Sequence, residues 1–332
     1  MVNQTQTIRN TILELLYREK GDTVSGVTLS AVNGISRVAV WKHINALKKD
    51  GFAIASGPRG YHLTDPDDLL LPFCFQGCYV ENPSGTADIP LQDISLQDRI
   101  FYFPRVDTTM DTARDLAKNG APHLSCVVAE QQIRGRGRLN RQWESGKGGL
   151  WMTLILIPDT PPPLAYLYNF AASVSLSKTF AILFGLDVRV KWPNDLLLNG
   201  RKLAGLLSEI ETQADMIRFL LVGIGINVNN DPTSDLFDAI SIQQALGRKV
   251  SRQKILAEFM KQFFGQIQDM NPSKIMEAWK KRTATIGSRV RVQTHTQTFQ
   301  GLAIDVEDTG TLLVKDDLHQ IQKIIYGDCF HT

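Results

Sequence analysis

The sequence has few cysteines and no long hydrophobic run. Its 332 residues include four cysteines, too scattered for a disulfide framework, which is typical of a reducing compartment. Cys74 and Cys78 have the spacing of a metal pair, but no histidine or second cysteine pair lies near them, so we expect no permanently bound metal. No apolar run approaches the roughly 20 residues that span a bilayer, and no signal-peptide pattern opens the chain. These absences predict a cytoplasmic protein without membrane association.

One segment lacks positive charge altogether. From Asp65 to Asp98 there are seven acidic residues, several prolines and no lysine or arginine. Residues 1–64 carry eight Lys/Arg against four Asp/Glu, a net charge of +4, although the whole chain has only +2. This contrast divides a basic head (1–64) from an acidic connector (65–98), and the remaining length is sufficient for further domains.

The head has the element order of a winged helix-turn-helix. Apolar residues at helical spacing predict a helix that packs inward, and Ser36 is well placed to cap the third helix. The short strands enclose a Gly/Pro turn, as in a wing. The predicted elements are helices at 7–20, 28–32 and 36–50 and strands at 52–54 and 61–63.

This arrangement predicts DNA binding by the third helix, which would enter the major groove, and by the wing, which would meet phosphate. Trp41 is unusual at a groove-facing position and is alternatively a core residue. A packing or dimerisation module with a solvated basic face is the other interpretation of the head. The predicted DNA-binding residues are Ser36, Arg37, Lys42 and Arg59.

Residues 132–143, Gln-Ile-Arg-Gly-Arg-Gly-Arg-Leu-Asn-Arg-Gln-Trp, place four arginines and two glycines between apolar segments. We name this stretch the Arg–Gly loop. Arginine offers a planar fork of donors to phosphate or carboxylate, and glycine lets the main chain approach a ligand closely. The strands predicted on both sides argue against a disordered RNA-binding tail. The loop is therefore predicted to surround a small anion.

The rest of the chain alternates strands and helices and then becomes all β. Pro193-Asn194-Asp195 predicts a turn, and glycines 223 and 225 inside a strand indicate close approach by a ligand. Short strands after residue 283 predict a small β-barrel. The other predicted elements are strands at 100–103, 125–131, 149–157, 188–192, 202–211 and 219–228 and helices at 108–118, 164–184 and 251–281, the last broken near Asn271-Pro272.

Four ordered motifs resemble those of the biotin-protein ligases, and with the head the chain resembles the bifunctional bacterial form that also represses biotin genes. The resemblance implies an α+β multidomain fold: a winged helix-turn-helix, a central α/β ligase domain with a mixed, class II synthetase-like sheet (99–282), and an SH3-like C-terminal domain (283–332). The motifs are residues 132–143, Lys191-Trp192-Pro193-Asn194-Asp195, Arg201-Lys202-Leu203-Ala204-Gly205 and Gly223-Ile224-Gly225-Ile226-Asn227.

The reaction implied by this resemblance joins biotin to ATP, accompanied by Mg²⁺, to give biotinyl-5'-AMP. The biotinyl group then passes to a lysine of the biotin carboxyl carrier protein of acetyl-CoA carboxylase. The same adenylate would act as co-repressor, with a homodimer on operator DNA. A lipoate-protein ligase and a non-catalytic ligand-sensing transcription factor are the alternatives.

The resemblance also implies roles for particular residues. Asp195 would orient Lys202, hold metal or help to deprotonate the acceptor lysine, unless it belongs to a simple turn. Gln132 is alternatively a polar strand end, and Lys202 a surface lysine. The catalytic assignments are Arg138, Lys202 and Asp195. The biotin-binding assignments are Thr108, Thr109, Gln132, Gly135, Arg136, Lys202, Gly223 and Gly225. The nucleotide-binding assignments are Arg138, Trp143, Lys191, Asn194 and Asn227.

Three departures from the family pattern affect this expectation. Thr108 replaces serine and Met110 replaces asparagine, both near the presumed ring site. Leu139-Asn140 stands where Arg-Gly is common. If these residues weaken closure of the loop, the protein should form its adenylate yet hold it poorly.

Overall fold

The computed structural model describes residues 4–19, 21–80, 94–138, 141–232 and 238–332. The helices are α1 (Gln4–Arg18), α2 (Gly26–Asn33), α3 (Arg37–Lys49), α4 (Thr109–Lys118), α5 (Tyr166–Phe184), α6 (Ile242–Leu246), α7 (Arg252–Ile267) and α8 (Pro272–Lys280). The strands are β1 (Ile54–Gly57), β2 (Gly60–Leu63), β3 (Tyr79–Val80), β4 (Ile94–Ser95), β5 (Ile100–Phe103), β6 (Ser125–Ala129), β7 (Leu150–Leu156), β8 (Val188–Lys191), β9 (Asp195–Leu198), β10 (Arg201–Gln213), β11 (Met216–Ile226), β12 (Arg289–Gln293), β13 (Thr298–Val306), β14 (Leu312–Lys315), β15 (Ile321–Ile324) and β16 (Asp328–His331).

The head is a winged helix-turn-helix, as predicted. Ser36 caps α3 by accepting a hydrogen bond from the Ala39 amide, and the apolar face of α3 is buried through Val40, Ile44 and Leu47. The hairpin β1–β2 forms the wing. The first wing strand begins at residue 54 rather than at the predicted residue 52. Trp41 is 56% exposed, which agrees with a groove-facing position and excludes the alternative of a core residue.

The connector packs against both neighbouring domains. It forms short 3-10 helices at Pro66–Asp68 and Pro72–Phe75 and the small β3–β4 pair. The rings of Tyr17 in α1 and Phe73 in the connector lie 5.4 Å apart, and Phe75 is buried. The predicted loop and short strands therefore join the head to the central domain through apolar contacts.

The central domain is built on one mixed sheet in the order β5-β6-β7-β11-β10-β9-β8. The β5–β6 pair is parallel and the other pairs are antiparallel, which confirms the mixed sheet. Every residue of β6 and β7 is buried, because α4 packs on one face of these strands and the residues on their other face belong to the main apolar core. Strands covered on both faces read as continuous apolar runs.

Helix α5 is the longest apolar element of the central domain. With the turn before it, it is long and apolar enough to cross a membrane, contrary to the expectation from the sequence. However, 72% of its most apolar window is buried inside the protein. Its composition is that of a core helix, since a helix that is hydrophobic all round needs partners on every side.

The turn predicted at residues 193–195 forms at residues 192–194, and its last predicted residue already belongs to the next strand. Asp195 opens β9, which pairs with β8 and β10, whereas the sequence pattern predicted only a turn over residues 193–195. The peptide bond between Trp192 and Pro193, within this turn, is cis. Pairing with both neighbouring strands holds the backbone of Asp195 in the sheet.

The C-terminal domain is a five-stranded antiparallel sheet in the order β15-β14-β13-β12-β16. It is joined to the central domain by hydrogen bonds, including one from Trp192 Nε1 to the Gly310 carbonyl oxygen at 2.9 Å. Its last strand, β16, lies beside the Arg–Gly loop, because Arg138 donates to the carbonyl oxygen of Gly327. The tail thus reaches the edge of the cavity described next.

Candidate active site

A cavity of about 640 Å³ lies between the Arg–Gly loop, the glycine-bearing part of the sheet and β16. It brings together most of the predicted site residues, and Lys191 and Gly135 are not among its lining residues. The predicted residues that line it are Thr108, Thr109, Gln132, Arg136, Arg138, Trp143, Asn194, Asp195, Lys202, Gly223, Gly225 and Asn227.

A chain of hydrogen bonds fixes the polar end of the cavity. Thr153 Oγ1, buried in β7, donates to Thr109 Oγ1 at 2.8 Å. The amide and hydroxyl of Thr109 both donate to Gln132 Oε1, at 2.8 and 3.1 Å. Gln132 Nε2 then donates to Ser145 Oγ at 2.8 Å. Gln132 is therefore held in one orientation by groups on both sides of the loop, as preorganised recognition requires.

The Arg–Gly loop closes on itself at Gly135. A Cβ atom at this position would lie 2.4 Å from both Ser145 Oγ and the Trp143 carbonyl oxygen. The Trp143 amide donates to the Gly135 carbonyl oxygen at 2.8 Å. Gly135 is thus required by the contact between the two arms of the loop, which is a different reason from direct approach to a ligand.

Trp143 rests on the glycines of the sheet. Gly205 in β10 is directly opposite Gly225 in β11, and a Cβ on Gly225 would lie 2.5 Å from Trp143 Nε1. The Lys202 ammonium lies 5.1 Å from the centre of the indole, within cation–π range. Trp143 Nε1 is buried without a hydrogen-bond partner among the described residues. Because Gly205 and Gly225 have no side chains, the indole of Trp143 packs directly against the two strands and forms one side of the cavity.

Three of the four arginines of the loop are paired with carboxylates. Arg134 Nη2 lies 3.2 Å from Asp107, in an exposed pair. Arg136 Nη2 lies 2.7 Å from Asp111 and 3.6 Å from Glu209, and Arg141 pairs with Asp328 of β16. Arg114 of α4 also pairs with Asp111 and Glu209. These carboxylates neutralise most of the loop before any ligand binds.

Arg138 is the exception. Among the described residues it has no carboxylate at ion-pair distance, and its Nη1 donates instead to Asn194 Oδ1 at 3.3 Å and the Gly327 carbonyl oxygen at 3.1 Å. Burial lowers the pKa of Arg138, partly offset by the more distant charges of Asp328 and Asp195. A half-buried cation held only by neutral oxygens favours an anion beside it.

Lys202 and Asp195 form the second charged element of the cavity. The Lys202 ammonium lies 2.8 Å from Asp195 Oδ1, and both side chains are partly buried. Asp195 is opposite Gly205 on the neighbouring strand, so its carboxylate is fixed by the sheet. Of the roles considered for Asp195, this geometry favours orientation of Lys202.

Two of the three departures from the family pattern, Thr108 and Met110, line the cavity. Thr108 caps α4, since its Oγ1 accepts from the Asp111 amide at 3.0 Å. Met110 is buried, and a Cβ on Gly223 would lie 2.6 Å from its sulfur, so Met110 fills the space above that glycine. Leu139 and Asn140 lie outside the described residues.

Two predicted nucleotide-binding residues have other surroundings. Lys191, at the end of β8, places its ammonium 6.0 Å from the Phe330 ring in β16, toward the C-terminal domain. Asn227 does line the cavity, and its Oδ1 accepts a hydrogen bond from Asn230 Nδ2 at 3.0 Å. Lys191 therefore lies at the junction with the C-terminal domain, whereas Asn227 lies in the wall of the cavity.

Several residues that shape the site carried no sequence signal. Glu209, Thr153, Ser145 and Asp328 act through long-range contacts, which neither spacing nor composition indicates. Glu209 was a partial exception, because it is a charged residue in the predicted strand 202–211. No cluster of three or more His, Cys, Asp or Glu side chains suited to a metal ion occurs in the described part of the chain.

The predicted DNA-binding residues lie on a different surface, formed by α3 and the wing. Arg37, Lys42 and Arg59 are exposed, and none forms an ion pair with a described residue. Arg37 and Arg59 line a groove between α3 and the wing together with Trp41. Ser36 differs from them, because its hydroxyl is engaged in capping α3.

Fold and cavity together define the class: a DNA-binding winged helix joined to a mixed-sheet ligase domain with a cation-lined cavity. Residues 102–229 match the model of the biotin/lipoate A/B protein ligase family. Residues 8–62 match an HTH domain, and residues 285–332 match the biotin protein ligase C-terminal domain.

Individual relatives agree with the family models. The bifunctional ligase/repressor BirA of Bacillus subtilis is 33% identical, over 97% of this chain and 98% of that protein. The biotin–[acetyl-CoA-carboxylase] ligase of Paracoccus denitrificans is 30% identical, over 64% of this chain and 92% of its own length. The structure of Aquifex aeolicus biotin protein ligase in complex with biotin and ATP matches in fold, with a TM-score of 0.61 and 24% identity over 70% of this chain and 99% of that one. This chain belongs to the bifunctional biotin ligase/repressor family, so it is a biotin ligase that carries a DNA-binding repressor domain.

Proposed function

We propose that this protein forms biotinyl-5'-AMP from biotin and ATP, transfers the biotinyl group to a lysine of the biotin carboxyl carrier protein of acetyl-CoA carboxylase, and uses the same adenylate as co-repressor. The observation that carries the proposal is the charge pattern of the Arg–Gly loop. Arg134, Arg136 and Arg141 have carboxylate partners, whereas Arg138 has only neutral oxygen partners beside the cavity.

In the first step, the biotin carboxylate attacks the α-phosphate of ATP and pyrophosphate leaves. Two anions must approach each other, so fixed positive charge lowers the barrier as charge builds on the phosphate oxygens. Arg138 and Lys202 are proposed to contact those oxygens and the carboxylate. Mg²⁺ enters with ATP as part of the substrate, and we assign no resident metal to the protein.

The ring system of biotin is proposed to occupy the polar end of the cavity. Thr108, Thr109 and Gln132 offer hydroxyl and amide groups to the ureido group. Arg136 and Gly135 shape the part of the Arg–Gly loop that covers the aliphatic chain of biotin. Because Gly223 has no side chain, it leaves space on this face of the sheet, and Met110 packs into that space. Trp143 is proposed to border the adenine, with Asn194 and Asn227 toward the phosphates. For Lys191, the contact with Phe330 favours a role in holding β16 over the cavity.

In the second step, the amine of the acceptor lysine attacks the carbonyl carbon of the mixed anhydride, and AMP leaves. The amine must lose its proton to act as a nucleophile. Asp195 already holds an ammonium group, that of Lys202, at 2.8 Å. Its proposed main role is to keep Lys202 directed at the anion.

Repression is proposed to use Arg37, Lys42 and Arg59 for phosphate contact, with Ser36 fixing the leading end of α3. Exposed, unpaired cations suit a long polyanion. A homodimer in the adenylate-bound state, presenting two heads to the operator, is part of the proposal, as is a cytoplasmic location.

The direct test is pyrophosphate release with single substrates omitted. We expect release only with biotin, ATP and Mg²⁺ together, and transfer of label from biotin to a carrier domain with an intact target lysine. The same carrier with that lysine changed to arginine is the control. Adenylate formation with lipoate but not with biotin, or with neither acid, would contradict the proposal.

A further inference from the structure

A buried ion cluster lies outside the cavity, at the first turn of α7. Its cation is Arg252, whose side chain is 5% exposed, and its anions are Asp68 and Glu130. Three segments of the chain meet there. Asp68 belongs to the connector, Glu130 follows β6 where the chain enters the Arg–Gly loop, and Gly149 precedes β7 where the chain returns.

The guanidinium of Arg252 is saturated with acceptors. Nε donates to Asp68 Oδ1 at 2.8 Å, and Nη2 donates to the Asp68 carbonyl oxygen at 2.9 Å. Nη1 donates to Glu130 Oε2 at 2.9 Å and to the Gly149 carbonyl oxygen at 3.0 Å, while Nη2 reaches Glu130 Oε1 at 3.3 Å. All five guanidinium N–H groups are thus used, and a lysine, with three donors on one nitrogen, cannot replace them.

The charge of Arg252 is maintained by its partners. Burial by itself lowers the pKa of this guanidinium, but the charges of Glu130 and Asp68 outweigh burial and raise the pKa. The two carboxylates would in turn be costly to bury without the cation between them. The cluster therefore holds together as a unit, and removal of any one charge weakens the contact between the segments that it joins.

The position of the cluster gives it control over the base of the Arg–Gly loop. The ladder between β6 and β7 reaches Ala129 opposite Trp151, and farther along the loop the Gln132 amide donates to the Ser145 carbonyl oxygen at 3.1 Å. Glu130 and Gly149 lie between these two links. Arg252 joins the stems there, so the angle at which Gln132 enters the cavity depends on it.

The other arm of the cluster leads toward the head. Asp68 lies in the 3-10 helix that follows the wing, and the neighbouring Ser251 hydroxyl donates to the Asp67 carbonyl oxygen at 2.7 Å. The same connector packs against α1 through the rings of Tyr17 and Phe73. The connector that carries Asp68 therefore contacts both the head and the central domain.

We propose that Arg252 is a positioning residue that ties both stems of the Arg–Gly loop to the connector behind the DNA-binding head, so that closure of the loop and placement of the head depend on each other. This rests on the proposed role of the loop in binding biotin and ATP. The two carboxylates are separable arms: Glu130 serves the loop, and Asp68 serves the connector.

The test uses Glu130→Gln and Asp68→Asn in the full-length protein as a matched pair, since each removes one negative charge from the same cluster. Biotin KM, kcat, the dissociation rate of the adenylate and operator affinity with and without adenylate are measured well below each variant's unfolding temperature. We expect Glu130→Gln to raise the biotin KM by about tenfold with kcat changed less than about threefold.

Asp68→Asn is expected to change the biotin KM by less than about twofold, but to reduce the stimulation of operator binding by adenylate at least about fivefold. Arg252→Lys should show both defects, because it keeps the charge and loses the fork. The proposal is overturned if the two single-arm variants have the same profile, which would indicate a purely structural cluster, or if Arg252→Lys behaves as wild type. A wild-type protein that forms no biotinyl-adenylate would instead refute the proposed function.

Discussion

The two cationic surfaces of this protein are organised in opposite ways. In the Arg–Gly loop, Arg134, Arg136 and Arg141 are held by carboxylates from other segments, and Arg138 remains without one. On the head, Arg37, Lys42 and Arg59 are exposed and form no ion pair with described residues.

Each of the two surfaces is suited to a different kind of anion. Carboxylate partners fix the shape of the loop and cancel most of its charge, so that one small anion is favoured at one place. Solvated cations have no such restriction, and they release counterions from any phosphate backbone that they neutralise. The loop therefore suits specificity for a small molecule, and the head suits affinity for a polymer whose sequence is read by other contacts.

The largest expected effect comes from the charged pair of the cavity. Lys202→Ala removes a cation and leaves Asp195 as an uncompensated anion beside the phosphates. We expect adenylate formation to fall by about 10³-fold or more. Single-turnover pyrophosphate release measures it.

A double variant tests whether the negative charge of Asp195 contributes to this loss. Lys202→Ala combined with Asp195→Asn should recover part of the loss, because the repulsion is removed together with the cation. If the double variant is no better than Lys202→Ala, the fixed negative charge of Asp195 does not contribute, and the proposed orienting role of Asp195 needs another basis.

On the head, Arg37→Ala with Lys42→Ala should abolish operator retention in a gel shift and leave biotinylation within about twofold of wild type. The slope of log affinity against log salt should fall by about 2, since each lost phosphate contact contributes about 0.9. Arg18→Ala, which removes a cation of the head that is already paired with Glu14 on α1, serves as a control. Unchanged retention would show that these unpaired cations do not contact DNA.

A smaller effect is expected from Gly225→Ala. The added methyl group would lie 2.5 Å from the indole of Trp143, so the ring must move away from β11. We expect the KM for ATP to rise by about tenfold and the KM for biotin by less than about threefold. Gly265→Ala in α7, where a Cβ meets nothing within 4 Å and which does not line the cavity, is the matched control. A larger increase in the KM for biotin than in the KM for ATP would contradict the proposed position of Trp143 beside the adenine.

The smallest effect is expected at the exposed end of the loop. Arg134 is 76% exposed and pairs with Asp107, itself half exposed, in solvent. Surface pairs of this kind contribute little, so Arg134→Gln should change adenylate formation by less than about twofold. A loss comparable to that of Lys202→Ala would show that the pairing pattern does not distinguish the arginines.

Local pattern was sufficient to predict most of the fold. Ser36 predicted the start of α3, and continuous apolar runs predicted β6 and β7. Both signals depend only on residues that are close together in the sequence. At Asp195 the Pro-Asn-Asp sequence predicted the turn, which forms at residues 192–194, but not the strand β9 that begins directly after it, because pairing with β8 and β10 is a tertiary contact. Trp41 was ambiguous for a related reason: helical spacing alone does not decide which face meets solvent.

The candidate site was predictable in its motifs but not in its partners. The composition of the Arg–Gly loop indicated an anion, and the family resemblance selected Arg136 and Arg138, but the residue types alone do not distinguish the four arginines. Their distinction depends on Asp107, Glu209 and Asp328, which are distant in sequence from the loop. Arg252 is a similar case, because its two anions lie 184 and 122 residues away along the chain. Long-range pairing of charges is set by the fold.

The most direct measurement is calorimetric titration of a non-hydrolysable biotinyl-adenylate analogue into wild type, Arg138→Gln and Arg134→Gln. If Arg138 is the cation left available for the ligand, its substitution should weaken binding by about 30-fold or more, whereas Arg134→Gln should stay within about threefold of wild type. Equal affinities of the two variants would contradict the account, because the carboxylate pairing of the loop would then not determine where the anion binds.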